Sequence, residues 1–169
     1  IDAANINIPG DFSSAAFFVL AALITPGSDL TLMNIGINKT RIALLEVLKG
    51  MGADIKLSNV SNEYEPRADI SIRASELKGI TLNPKLVPNL IDELPVLFIA
   101  ASLAEGQTII RGAEELREKE SDRLEAMANS LKLLGVRFKI YDDGIDIQGL
   151  NQEVHTSNSG MPFEASHIN

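Results

Sequence analysis

The chain reads as an α/β protein built from a repeated βαβαββ unit, and three observations carry that reading. Two stretches, residues 14–24 and 94–103, are apolar on every side, and a helix with no polar face must be enclosed by protein. Each is followed by a glycine turn, a short alternating strand, an amphipathic helix stopped by glycine, and a pair of alternating strands. Matching positions of the two runs lie roughly 80 residues apart, the mark of an internal repeat.

Taken in order, a short strand is expected at Ile6–Ile8, then the first buried helix over residues 16–24. Gly27 turns the chain into a strand at Leu30–Ile35. Leu44, Leu45, Leu48 and Met51 share one face of the next helix, which Gly52 ends, as a left-handed C-terminal cap does. Strands follow near Ile55–Leu57 and Ile70–Ile72, joined by a longer loop that holds Pro66. The second unit repeats the series. It has a strand at Ile80–Leu82, a buried helix over 96–103, a turn at Gly106 and a strand at Thr108–Arg111. Leu124, Met127, Ala128, Leu131 and Leu134 then line one helix face before Gly135. Phe138 and Ile140 oppose Ile145 and Ile147 across Asp143-Gly144, a tight hairpin signal. The units are read as residues 1–75 and 76–149. Residues 150–169 are polar and glycine-containing, the composition of a loop or partly disordered tail.

Composition narrows the function. The length suits one domain or one lobe of something larger. There is no cysteine, which excludes disulfides and thiolate metal sites and fits a reducing, cytoplasmic compartment. The two histidines, His155 and His167, lie in the polar tail and make no metal site. A net charge of −8 without a clustered basic stripe excludes nucleic acid as a partner. It also requires that an anionic substrate be held by local cations against the overall field. The longest apolar stretch is about half of what spans a bilayer, so no membrane partner is expected. Ile1 opens without an initiator methionine or a charged n-region, so the start is expected to lie inside a longer protein. Walker and dinucleotide glycine patterns are absent. Gly36-Ile37-Asn38-Lys39-Thr40 matches only the end of a phosphate loop, and Asn38 is expected to cap the following helix.

The most informative run is Glu114-Glu115-Leu116-Arg117-Glu118-Lys119-Glu120-Ser121-Asp122-Arg123, at the start of an amphipathic helix. Such a run is also what a solvated face looks like. A carboxylate, a lysine and an arginine gathered at one helix start can equally bind a small anion and move a proton beside it.

Four motifs together resemble those of the 5-enolpyruvylshikimate-3-phosphate (EPSP) synthase family. They are Pro9-Gly10-Asp11-Phe12-Ser13-Ser14-Ala15-Ala16, Asn34-Ile35-Gly36-Ile37-Asn38-Lys39-Thr40-Arg41, Leu90-Ile91-Asp92-Glu93-Leu94-Pro95 and Leu116 to Arg123. They occur in the family's order and spacing across residues 8 to about 149. The resemblance implies a lobe of an inside-out α/β barrel, with βαβαββ units whose helices are buried and whose sheets face out. Two of the lobe's three units are represented. It implies transfer of the carboxyvinyl group of phosphoenolpyruvate to the 5-hydroxyl of shikimate 3-phosphate, with release of phosphate, in the shikimate pathway, and no metal or organic cofactor. By position, Asp92 matches the proposed base at the shikimate hydroxyls and Glu120 the glutamate that handles the proton at the methylene. Lys119 matches a lysine on the shikimate 3-phosphate side, and Arg123 an arginine that binds phosphoenolpyruvate, where a planar fork suits paired oxygens.

Each of these residues has a plainer role open to it. Asp92 stands where an N-cap belongs, Glu120 and Asp122 suit a helix dipole, and Arg123 can form a surface pair. The role of Glu115 stays open. The resemblance also shows what is lacking: the family's Gly-Asp-His-Arg segment, a late lysine and the whole second lobe. Residues 163–169 could lead into the first of these. The expected partners are therefore the two substrates and the remainder of a parent enzyme, and the chain alone is expected to be inactive. The sister transferase acting on UDP-N-acetylglucosamine and a non-enzymatic binding module of the same fold are the alternatives.

Overall fold

In the computed structural model, residues 7–150 are described. Ile6, the tail from residue 151, both histidines and the 163–169 segment lie outside them. The first helix, α1 (Phe12–Ile24), is capped by Asp11, whose carboxylate accepts the Ser14 N–H at 2.8 Å. Gly27, at φ 78°, turns the chain into β1 (Asp29–Gly36). Helix α2 (Ala43–Gly50) ends in a pair of reverse bonds: the Gly52 N–H reaches the Lys49 carbonyl and the Ala53 N–H the Leu48 carbonyl. That motif needs the left-handed conformation Gly52 adopts, φ 101°. Strands β2 (Asp54–Ser61) and β3 (Arg67–Arg73) complete the first series.

A short 3₁₀ turn over Pro84–Asn89 leads to α3 (Leu94–Leu103) and β4 (Gln107–Arg111). A second 3₁₀ turn, Glu114–Arg117, precedes α4 (Arg123–Leu133), which Asp122 caps and Gly135 ends with the same paired bonds as Gly52. Strands β5 (Arg137–Tyr141) and β6 (Gly144–Gln148) complete the second series.

Among the described residues the strands form two antiparallel sheets of the same order, β1-β3-β2 and β4-β6-β5. Their registers place equivalent rows against the helices. In the first, Leu30, Ile72 and Ile55 align, then Leu32, Ile70 and Leu57. In the second, Thr108, Ile147 and Phe138 align, then Ile110, Ile145 and Ile140. Both helix pairs and both sheets contribute to one apolar core, with Leu23, Leu44, Leu48, Leu97 and Phe98 fully enclosed.

Several expectations change on contact with the structure. The strand expected at residues 80–82 shrinks to a parallel bridge between Thr81 and Ile109, because Asn83-Pro84 turns the chain into a 3₁₀ helix at once. Near Pro9 the counterpart is one parallel bridge, Gly10 to Ile35, with the Asp11 cap starting α1 directly behind it. The β5–β6 turn is Asp142-Asp143, not Asp143-Gly144. Gly144 already pairs with Tyr141 inside the ladder, where a Cβ would overlap the Ile110 carbonyl. Leu134 is exposed, since α4 has ended there and Val136 takes the inward position. Asn38 accepts from the Thr40 N–H and hydroxyl, closing a turn ahead of α2 rather than capping it. Lastly, α1 is not enclosed on all sides. Phe17 and Phe18 are 66% and 60% exposed, because no described element packs over that face.

Both bulges of the first sheet meet at one side chain. Asn34 in β1 and Asn59 in β2 have φ of 55° and 50° where the registers slip. Asp69 of β3 accepts the Asn34 N–H at 2.8 Å on one oxygen and the Asn59 side-chain amide at 2.7 Å on the other. Beyond the bulge, the Asn34 carbonyl accepts the Gly10 N–H at 2.7 Å, and the Gly10 carbonyl accepts that of Gly36 at 2.9 Å. The start of α1 is thereby seated on the end of β1.

Three stability measurements follow. Phe98→Ala should cost about 3–5 kcal/mol in urea unfolding, as a large cavity in a closed core does. Phe17→Ala should fall within about 0.5 kcal/mol of the parent, as exposed substitutions do. Asp122→Ala should cost about 1 kcal/mol at neutral pH through loss of the cap. Burial opposes ionisation of Asp122, but the N–H groups of Glu125 and Leu124 and the Arg117 guanidinium outweigh it and lower its pKa. Its contribution is therefore complete above the unfolded value of 3.8 and is lost as pH falls through the lower folded value. Unfolding curves of parent and variant should converge in that acid range.

Candidate functional site

The polar groups of interest sit at helix starts, and a chain of hydrogen bonds shows that these starts adjoin. Arg41, ahead of α2, reaches the α1 cap Asp11 at 3.3 Å and the Ser13 hydroxyl at 3.1 Å. Ser13 donates to Glu93, at the start of α3, at 2.5 Å. Next to it, Asp92 accepts from Arg123, the first residue of α4, at 3.4 Å. Arg123 also grips Glu120 at 2.8 Å. Four helices therefore present their N-terminal ends to one face, and the partial positive charge of those ends favours an anion there.

Of the expected site residues, Arg123 holds Asp92 and Glu120 together with its two terminal nitrogens. Asp92 does not cap α3. Its side chain is 62% exposed and turned to Arg123, while Glu93 occupies the cap position without a capping bond. Glu120 is open to solvent, and its own backbone N–H, then Arg123, hold its carboxyl below the usual range. Lys119 bonds Glu115 at 2.8 Å rather than any of the other three. That hydrogen bond raises its pKa. The charges of Asp92 and Arg123 also act on it, the first favouring and the second opposing its protonated form.

The remaining residues of the charged run build the loop. The Arg117 guanidinium donates to Asp122 at 2.7 Å and to the carbonyls of Asp142 and Tyr141 at 3.0 and 2.9 Å. It ties the loop before α4 to the β5–β6 hairpin, so the Lys119–Arg123 segment is held from both ends.

Sequence reasoning gave no role to Asp11, Ser13, Arg41 or Glu93. Each lies in a motif that the sequence singles out, at or next to a helix start, and that position was the available signal. The pairing of Ser13 with Glu93, across 80 residues of sequence, had none. Glu93 is 5% exposed. Burial pushes its carboxyl above the usual range, partly offset by the Ser13 hydroxyl. Asp92 and Asp11 act in the same direction as burial, and Arg41 against it.

The family model for EPSP synthase (3-phosphoshikimate 1-carboxyvinyltransferase) matches residues 1–160. A 3-phosphoshikimate 1-carboxyvinyltransferase of Sphingopyxis alaskensis is 55% identical over 145 residues, 85% of this chain and 32% of that protein. The enzyme of the same name from Coxiella burnetii is 50% identical over 150 residues, 88% of this chain and 34% of its own length. The solved structure of EPSP synthase from Acinetobacter baumannii superposes with a TM-score of 0.82 at 51% identity, over 85% of this chain and 33% of that one. The chain spans about a third of the length of these relatives. Motifs, fold and comparisons agree: the chain belongs to the EPSP synthase family.

Proposed function

We propose that the chain supplies one part of a carboxyvinyl-transfer site that takes phosphoenolpyruvate and shikimate 3-phosphate. The observation that carries this reading is Arg123 holding Asp92 and Glu120 at 3.4 and 2.8 Å. One cation between two carboxylates suits a reaction that needs one anion bound and two protons moved beside it.

In the addition step, Asp92 takes the proton of the 5-hydroxyl as its oxygen bonds to C2 of phosphoenolpyruvate, and a proton is delivered to the C3 methylene. In the elimination step, a proton leaves the new methyl group as the C2–O bond to phosphate breaks. Glu120 serves the C3 proton in both directions. Its lowered pKa keeps it ionised, and so able to accept a proton, while Arg123 grips it. When Arg123 turns its fork to the carboxylate or phosphate of the substrate, that grip loosens and Glu120 holds a proton more readily. Lys119 stays protonated through its bond with Glu115 and, in this reading, binds on the shikimate 3-phosphate side.

The remaining cations and the second wall of the cleft belong, in this reading, to the rest of a parent enzyme. The apolar face of α1 at Phe17 and Phe18 is where a third unit of the lobe would pack. A cytoplasmic location belongs to the same proposal, and the absence of cysteine is compatible with it. Among the described residues, no helix is long and apolar enough to cross a membrane. The sister transferase and the binding-module readings gain no observation of their own.

Two experiments test this. Calorimetric titration of the full chain should give millimolar or weaker binding of either substrate, with no phosphate release, because a partial site lacks the proximity that makes the reaction unimolecular. Micromolar binding or turnover by the chain alone would overturn the partial-site account. A hybrid in which this chain replaces its counterpart in the Acinetobacter baumannii enzyme should release phosphate. In that hybrid, Asp92→Asn and Glu120→Gln should lower kcat by about 10²–10⁴. Arg123→Ala should raise KM for phosphoenolpyruvate by about 10- to 100-fold, as expected for losing charge-assisted hydrogen bonds. Variants that match the parent hybrid would remove these roles.

A further inference from the structure

We propose that Glu93 is a positioning residue for the transfer site. Through Ser13 and Arg41 it ties the start of α3 to the starts of α1 and α2, and so sets where its neighbour Asp92 meets substrate. This rests on the transferase reading above and adds a residue to it.

Glu93 occupies the cap position of α3 yet makes no cap there. Its carboxylate crosses instead to α1, where Ser13 donates to it at 2.5 Å. Ser13 in turn accepts from Arg41 at 3.1 Å, and the same guanidinium nitrogen reaches Asp11 at 3.3 Å. The charge of Arg41 is therefore relayed to a buried carboxylate through one hydroxyl, and such linked bonds polarise one another. Burying a carboxylate is costly without this support. A well-packed apolar side chain in its place is often neutral or stabilising, so stability alone gives no reason for a carboxylate here. Direction does give one. The bond fixes the first turn of α3 against α1, and Asp92 is the residue immediately before, aimed at Arg123. The charged and polar groups facing Glu93 are Ser13, Asp92, Arg41 and Asp11, so a network spanning the starts of α1, α2 and α3 meets at this carboxylate.

The relay can be tested on the full chain by carbon-13 NMR titration of glutamate carboxyls. Glu93 should titrate above the ordinary glutamate range. Ser13→Ala and Arg41→Ala should each move it higher, since both partners favour the ionised form. Unchanged midpoints in both variants would overturn the relay.

The positioning role is tested in the hybrid enzyme. Glu93→Ala should lower kcat at least tenfold while KM for both substrates changes less than threefold. Glu93→Gln, whose amide oxygen can still accept from Ser13, should recover most of kcat. The double variant Ser13→Ala/Glu93→Ala should lose no more than Glu93→Ala alone. Should Glu93→Ala fail to fold, Ser13→Ala, which removes only the hydroxyl link, provides the same kcat-against-KM readout. An active parent hybrid in which Glu93→Ala keeps kcat, or in which Glu93→Gln is as impaired as Glu93→Ala, overturns the positioning role alone. A parent hybrid with no phosphate release overturns the transferase reading and the role together.

Discussion

A helix with no polar side cannot stand in water, and this chain contains two. Burial of α3, and of α1 apart from its Phe17–Phe18 face, is the constraint from which the rest of the architecture follows. Each needs neighbours on more than one side. The neighbours available are the inner rows of the two sheets, the apolar faces of α2 and α4, and each other. Leu23, Leu44, Leu97 and Phe98 fall in one continuous core. The sheets take the outside because their strands alternate, presenting Ile70 and Ile72, or Ile145 and Ile147, inward while the intervening residues face away.

The same packing creates the candidate site face. When buried helices lie side by side, their capping ends come together, and with them the polar residues that helix starts require. Asp11 and Asp122 are caps first, and their acidity follows from the N–H groups they accept. Between these caps, Arg41, Ser13, Glu93, Asp92, Arg123 and Glu120 form two short polar chains that meet at the start of α3. Charge balance there is local. Arg123 serves two carboxylates and Lys119 one, so an arriving anion competes with the protein's own carboxylates for each cation. Electrostatics of that kind favour exchange over tight holding.

Two devices keep this face in place from behind. Asp69 fixes both bulges of the first sheet and so aims the end of β1 at Gly10 and the start of α1. Arg117 anchors the loop before α4 to the β5–β6 hairpin. Neither residue belongs to the face, yet each determines where part of it lies.

Much of this was legible in the residues alone. The all-apolar runs, the capping glycines Gly52 and Gly135 and the paired alternating strands specify the order of elements, because each is a local signal that acts over a few residues. The charged run and its neighbouring motifs pointed to Asp92, Lys119, Glu120 and Arg123 only through the family they resemble. Where local signals compete, the reading went astray. Asp143-Gly144 looks like a turn, but Gly144 is required by the closeness of the Ile110 carbonyl, a contact invisible in sequence. Leu134 continues a helical stripe that the chain abandons one residue earlier. The side chain of Asp92 could equally have capped α3, and only the approach of α4 decided that it faces Arg123. The bond between Ser13 and Glu93 had no signal at all, since its partners lie 80 residues apart. What the sequence determined by itself was therefore whatever depends on neighbours along the chain: periodicity, caps and the repeat. What only the tertiary structure decided was which helix starts touch, because that depends on how two separately legible units close over one core.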